Sequence, residues 1–317
     1  MADRLMPMNQ ASALQGLTVL ERGWLSSNNV LLHGGGAGAV LVDSGHLLHA
    51  GQTVALVGRA LAAAGGERLA GTVNTHLHSD HCGGNASVQR TLGGHITVPA
   101  GSWAAARDWD EDALSYRYTG QRCERFVPTD TLVPGQPLVV GQRHWQVLAA
   151  PGHDPQSVML FDTQNGVLIS ADALWEHGFG VVFQELEGEQ AFDDVARVLD
   201  LIESLDARCV VPGHGAPFSD VAGALHRARQ RLHAFVADPV RHARHGIKVM
   251  AKYHLMEEQQ QPWADYVAWF CATPLCQNVW QRLGQPEGTL AALAERVAHD
   301  LVRGGALALR DGVLQDV

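Results

Sequence analysis

The chain has 317 residues, 46% of them hydrophobic and 18% charged, with no low-complexity block; it is an ordinary globular composition with room for a catalytic domain and a smaller appendage. Its formal net charge of −10 argues against a broad phosphate-binding surface, so nucleic acid is not an expected partner. No stretch approaches the about 18–20 apolar residues of a membrane span, the start MADRLMPMNQASALQGL lacks an apolar core with a cleavage site, and the five cysteines contain no CxxC pair. These features predict a cytoplasmic chain with reduced thiols, no disulfides and no membrane contact.

In chain order, the first strong strand is Ala39 to Val42, an apolar run that ends on Asp43, Ser44 and Gly45. An Ala- and Leu-rich segment from His49 to Ala64 closes on Gly65-Gly66, which predicts a helix with a glycine stop. A strand from Gly71 to Thr75 runs directly into HLHSDHCGGN, followed by a short helix over Ala86 to Leu92 and a strand over His95 to Val98. This alternation predicts an α/β layered domain. The pattern weakens into a polar, aromatic-containing connection from about Asp108 to Asp130. Short strands follow at Pro137 to Val140, Trp145 to Ala149, Val158 to Phe161 and Val167 to Ser170, then a helix from about Ala191 to Leu205 and a strand at Cys209 to Val211.

After Pro217 the character changes to helical, amphipathic sequence, which sets an expected division into a catalytic domain over 1–218 and a mainly helical region over 219–317. Two short apolar runs around Arg310-Asp311-Gly312 predict a small β-wing, so the region has a winged-helix-like possibility. The acidic chain favours packing over the catalytic edge or a homodimer contact for this region rather than DNA binding. Aromatics at Trp263, Tyr266, Trp269 and Phe270 are expected to pack largely among their own helices.

The chemistry concentrates at strand ends. His76, His78, Asp80 and His81 fall within six consecutive positions directly after an apolar strand, where their side chains can fan toward common points. Imidazoles with a carboxylate are the ligand set of zinc, and of iron or manganese in mixed nitrogen and oxygen sites. His153 in AAPGHD and His214 in VVPGHG each follow an apolar strand and a Pro-Gly pair, while Asp172 in LISADAL ends another such strand. In open α/β sheets, strand ends are where sites form.

HLHSDHCGG matches the HxHxDHxGG signature of the metallo-β-lactamase superfamily, with His153, Asp172 and His214 following in that family's order. The chain resembles this family over about Gly16 to Phe218. The resemblance implies a four-layer αββα sandwich with two divalent metal ions at one edge, zinc first among the candidates and iron or manganese next. It places His76, His78 and His153 on one metal, Asp80, His81 and His214 on the other, and Asp172 between them. Asp43 in LVDSG is implied to orient a ligand imidazole. Two such cations lower the pKa of a shared water toward about 7, giving a bridging hydroxide that attacks a carbonyl carbon, with Asp80 helping to move the proton.

The same resemblance narrows the substrate. True metallo-β-lactamases generally have Cys or Ser where Asp172 stands, whereas glyoxalase II-like thioesterases, lactonases and nuclease branches keep the Asp, so a β-lactamase is disfavoured. The expected reaction is hydrolysis of a small-molecule thioester, ester or lactone, with a nuclease-like phosphodiesterase as the alternative. Trp175 and Phe179, with His177 between them, are candidates for an aromatic wall over the metals. Lys248 and Lys252, one helical turn apart, read as a solvated face, Cys82 as a buried filler, and Ser157 as structural.

Overall fold

The computed structural model describes residues 10–317. The opening residues of the segment weighed above for a secretory signal lie outside that range.

Six strands form the first sheet in chain order: β1 (Leu17–Leu20), β2 (Asn29–Leu32), β3 (Ala39–Val42), β4 (Leu69–Val73), β5 (His95–Pro99) and β6 (Asp130–Leu132). β1 to β3 pair antiparallel and β3 to β6 parallel. The second sheet runs β7 (Pro137–Val140), β8 (Arg143–Ala149), β9 (Val158–Asp162), β10 (Val167–Ala171) and β11 (Cys209–Pro212). It is antiparallel apart from the β10–β11 pair.

The period-2 alternation of each strand sorts its side chains into layers. Val30, Leu32, Val42 and Val73 of the first sheet meet Val158, Leu160, Val167, Ile169 and Val211 of the second in one core between the sheets. Their neighbours point outward. Leu31 and Leu41 meet Val57 and Leu61 of helix α1 (Ala50–Ala63) and Val88 of α2 (Asn85–Leu92). On the opposite face Met159, Phe161, Leu168 and Val210 meet α3 (Phe192–Ser204) and α4 (Val221–Ala237). The layers are therefore helix, sheet, sheet, helix. Because α4 packs on α3 in that outer core, the sandwich packing carries on to Ala237, beyond the change in sequence character at residue 218.

Asp238 then caps α5 (Pro239–Glu258): its carboxylate accepts from the Arg241 N–H at 3.1 Å, and Pro239 occupies the first turn. The remaining helices are α6 (Trp263–Ala272), α7 (Pro274–Arg282) and α8 (Leu290–Arg303). Strands β12 (Gln260–Pro262), β13 (Leu307–Arg310) and β14 (Val313–Asp316) form a three-stranded sheet in the order β12-β14-β13, so the wing at Arg310-Asp311-Gly312 has an additional partner strand. Tyr266 and Phe270 are fully buried among these elements, with Trp263 and Trp269 packed against them. Val181 and Leu186, from the segment after β10, enter the same cluster and join the two cores.

The 108–130 connection is less irregular than its sequence suggests. It is flanked by a short helix (Trp103–Asp108) and holds another (Tyr116–Thr119), while Leu114, Tyr116 and Phe126 are buried against Leu77, Cys82, Ile96 and Val98. All five cysteines are free thiols, with Cys82 Sγ 3.8 Å from Cys123 Sγ. Among the described residues no helix is long and apolar enough to cross a membrane.

Candidate metal centre

β4, β8, β10 and β11 all end at the same edge of the sandwich, and each delivers ligand-type side chains there. His76, His78 and His153 form one group, and Asp80, His81, Asp172 and His214 a second, each with its donor atoms within 4.8 Å of one another. In the first, His78 Nδ1 lies 2.8 Å from His153 Nε2 and 3.1 Å from His76 Nε2. In the second, His214 Nε2 lies 3.1 Å from Asp80 Oδ2, and His81 Nε2 lies 3.5 Å from Asp172 Oδ1. Asp172 faces both groups, because its other oxygen, Oδ2, is 3.3 Å from His153 Nε2.

Neighbouring groups fix which ring nitrogen faces inward. Asp43 accepts from His81 Nδ1 at 2.8 Å and from Thr75 N and Oγ1 at 2.9 and 2.7 Å. Thr75 Oγ1, having given its proton to Asp43, accepts from His76 Nδ1 at 3.2 Å. The Val181 carbonyl accepts from His153 Nδ1 at 2.6 Å. In His76 and His153 the outward nitrogen carries the hydrogen, so Nε2 presents a lone pair to the site; in His81 the bond to Asp43 turns Nε2 toward it. The Trp175 indole N–H donates to Asp172 Oδ1 at 3.1 Å.

Electrostatics agree with a cation-binding role. Burial, reinforced by neighbouring imidazoles, holds His76 well below the usual imidazole range and brings His78 and His153 down to about 4, so the first group is neutral at pH 7. Burial opposes ionisation of Asp172, yet the adjoining His81 and His214 outweigh it and hold the carboxyl well below its usual range. Burial likewise opposes charge on His81, but Asp172, Asp43 and Asp80 raise its pKa well above the ordinary value. Lone-pair nitrogens this close in a buried space call for a cation between them, and His81 Nε2, buried without a hydrogen-bond partner, is aimed at the same place. The donor set fits a pair of divalent metals.

Close approach at the site also demands glycine at 213. A side chain there would stand 2.1 Å from Asp172 Oδ1 and 3.0 Å from the His81 ring.

The segment Leu25 to Asn29, which carries no sequence motif, ties the ligand loops together. Ser27 N donates to the Asp80 carbonyl at 2.9 Å, Asn28 N to that of Gly213 at 2.7 Å, and Asn28 Nδ2 to those of Pro212 and Gly215 at 2.9 and 2.7 Å. A run of four polar residues, Ser26 to Asn29, all buried, was the available signal, because buried polar groups need partners. Trp24, beside it, stacks on His214 with centroids 5.4 Å apart and planes 6° apart, and it remains 58% exposed at the rim.

The ligand groups open into a cavity of about 830 Å³. Trp175 and Phe179 both line it, but Phe179 is 3% exposed and belongs mainly to the outer core. The far wall comes from α4 and α5, through Arg231, His245, Lys248, Met250 and Tyr253. The Tyr253 hydroxyl is 2.7 Å from Ser79 Oγ, in the ligand loop itself, and His46 Nε2 is 2.8 Å from Glu257 Oε1 in a fully buried pair. The helical region thus abuts the metal edge. Lys248 and Lys252 are not a free solvated face, since they pair with Asp300 at 2.6 Å and Asp316 at 2.5 Å.

Comparisons with known proteins agree with this geometry. A hydroxyacylglutathione hydrolase of Anaeromyxobacter dehalogenans is 34% identical over 142 residues, 43% of this chain and 47% of that protein. The acyl-coenzyme A thioesterase MBLAC2 of Bos taurus is 29% identical over 155 residues, 45% of this chain and 54% of that protein. The chain thus spans about half the length of the curated relatives it matches. A metallo-β-lactamase family protein of Thermus thermophilus shares the fold over 96% of this chain and 99% of its own, with a TM-score of 0.56 at 22% identity. The family model of the metallo-β-lactamase superfamily matches residues 22–214, from the segment beside Trp24 through His214, and the chain belongs to that superfamily.

Proposed function

We propose that the chain is a dinuclear metal-dependent hydrolase of a small-molecule thioester. The observation that carries this reading is the position of Asp172, one carboxylate oxygen toward each of two ligand groups, at the floor of a cavity sized for a small molecule. The named activities of the two curated relatives, on a hydroxyacylglutathione and an acyl-coenzyme A thioester, favour a thioester over the ester and lactone alternatives.

His76, His78 and His153 would hold one ion and Asp80, His81 and His214 the other, with Asp172 shared; zinc is the first candidate, then iron or manganese. When bound, such a pair supplies Lewis acidity toward a carbonyl oxygen and makes water nucleophilic near neutral pH. The protein's own residues do the rest. Asp43, Thr75 and the Val181 carbonyl hold three imidazoles in the orientation that turns Nε2 toward the site. The Asp80 carboxylate faces the cavity and is placed to take and pass on a proton as the acyl–sulfur bond breaks. Trp175 braces Asp172 and, with Trp24, encloses His214.

The test is elemental analysis followed by turnover assays of the metal-loaded protein on thioester, lactone, β-lactam and phosphodiester panels. About two metal equivalents and hydrolysis confined chiefly to thioesters are expected. Protein that takes up no transition metal, or that turns over phosphodiesters in preference, overturns the reading.

A further inference from the structure

Basic side chains around the cavity mostly have acidic neighbours. Lys248 lies against Asp300 and Lys252 against Asp316, and the exposed His177 sits beside Glu176. Arg231, on α4, differs. Its side chain is half-buried and lines the cavity, yet among the described residues no carboxylate lies within ion-pair distance and no acceptor within hydrogen-bond distance of its guanidinium. Burial lowers its pKa, but a guanidinium stays protonated throughout the physiological range. A desolvated cation without a counter-charge costs stability, and such costs persist where a ligand supplies the missing charge.

The surroundings of Arg231 are shaped around it. At Gly178, in the turn after Trp175, a side chain would stand 2.6 Å from the nearer guanidinium nitrogen. Trp175 and Gly178 bond across that turn, and Trp175 also donates to Asp172, so the turn connects the guanidinium to the metal edge. His245 stacks on Phe235 with centroids 5.6 Å apart; burial and the charges of Arg231 and Lys248 bring its pKa to about 4, leaving a neutral hydrogen-bonding ring beside the cation. Phe179, Val181, Phe183 and Met250 add apolar lining to the same cavity.

We infer that Arg231, with the ring of His245 beside it, forms an anion-binding subsite in the wall of the cavity that takes a single oxyanion group of the substrate. The inference rests on the proposed hydrolase reading and narrows it to acyl-thiol substrates that carry such a group.

Binding separates the two claims, because it needs no turnover. The probes are hexanesulfonate, an anion that ligates metals poorly, and methyl hexyl sulfone, its uncharged counterpart, titrated into the metal-loaded protein by calorimetry. Wild type is expected to bind the sulfonate about tenfold to a hundredfold more tightly than the sulfone, the ratio expected for a hydrogen bond to a charged group. Raising sodium chloride should weaken the sulfonate alone. Arg231→Met should abolish the preference and, by removing an unpaired cation, raise the ligand-free Tm; Arg231→Lys should retain part of the preference. Equal affinities in wild type, or a preference that survives in Arg231→Met, overturns the subsite. If Arg231→Met does not fold, absence of a salt effect on the wild-type sulfonate titration does the same. A protein that shows the preference but hydrolyses no thioester overturns only the hydrolase reading.

Discussion

On the sandwich side of the cavity, seven imidazoles and carboxylates stand on loops whose backbone is cross-tied by Ser27, Asn28 and Asp43; on the helical side, Arg231, His245 and Tyr253 reach in from helices whose packing is mostly apolar. The first arrangement holds donor atoms in place through hydrogen bonds to their supporting groups, as metal coordination requires. The second positions side chains through a hydrophobic core, which fixes an enclosure's shape while leaving its lining replaceable. The contrast separates residues whose loss should remove chemistry from residues whose loss should change what is bound.

The sharpest break in that comparison is Asp172→Ala against Trp175→Ala. Loss of the carboxylate that faces both ligand groups should exceed the about 10- to 100-fold expected for a residue that orients such a group, whether Asp43 in Asp43→Ala or Trp175 in Trp175→Ala. Steady-state kcat/KM on one thioester decides it, and equal losses for Asp172→Ala and Trp175→Ala would erase the distinction.

Next in size is Leu255→Ala, on α5, which opens a cavity in the helical core around a fully buried side chain. It should cost about 2–5 kcal/mol in denaturant melts. The folded variant should keep its metal stoichiometry and show a larger change in KM than in kcat. Loss of metal from folded Leu255→Ala would show that the two sides are not separable in this way.

The smallest effect concerns His242, also on α5, buried between Phe192 and Phe235 with its Nε2 unpartnered. Burial, with a contribution from His245, brings its pKa down to about 4, below the about 6.5 of an unfolded chain. The unfolded state therefore binds more protons between those values, and the stability held above pH 6.5 is lost as pH falls through 4. His242→Phe should flatten the dependence of Tm on pH across that window and leave it unchanged above pH 7.

The seven ligand-type residues were legible because each follows an apolar strand, and strand ends at one sheet edge converge whatever the details of packing. The inner strands were legible for the same reason: runs such as Val158 to Phe161 are buried on both faces and read as continuous apolar segments. β1 and β2 were not, since LTVL is short and partly exposed, and NVLL begins on a polar residue, Asn29, whose burial is compensated by bonds to Arg22 and Ser27 rather than by an apolar side chain. Trp24, Asn28 and Tyr253 act on partners well over a hundred positions away in sequence, a separation that periodicity does not encode. Arg231 was invisible for a different reason. What distinguishes it is a missing partner, and only three-dimensional surroundings show that.

Ser79 sits between His78 and Asp80 in the ligand loop, and its hydroxyl meets Tyr253 of α5. A second tie, between His46 and Glu257, lies on the same helix. Loop and helix therefore share a free energy: whatever favours the ordered loop favours the docked helix to the same degree, and thermodynamic reciprocity requires the converse. The two ties thus link metal affinity to helix docking by a finite coupling, which can weaken binding without changing how many ions the site holds at saturation. Removing a metal bound at this site would therefore loosen the cavity wall as well as empty the centre.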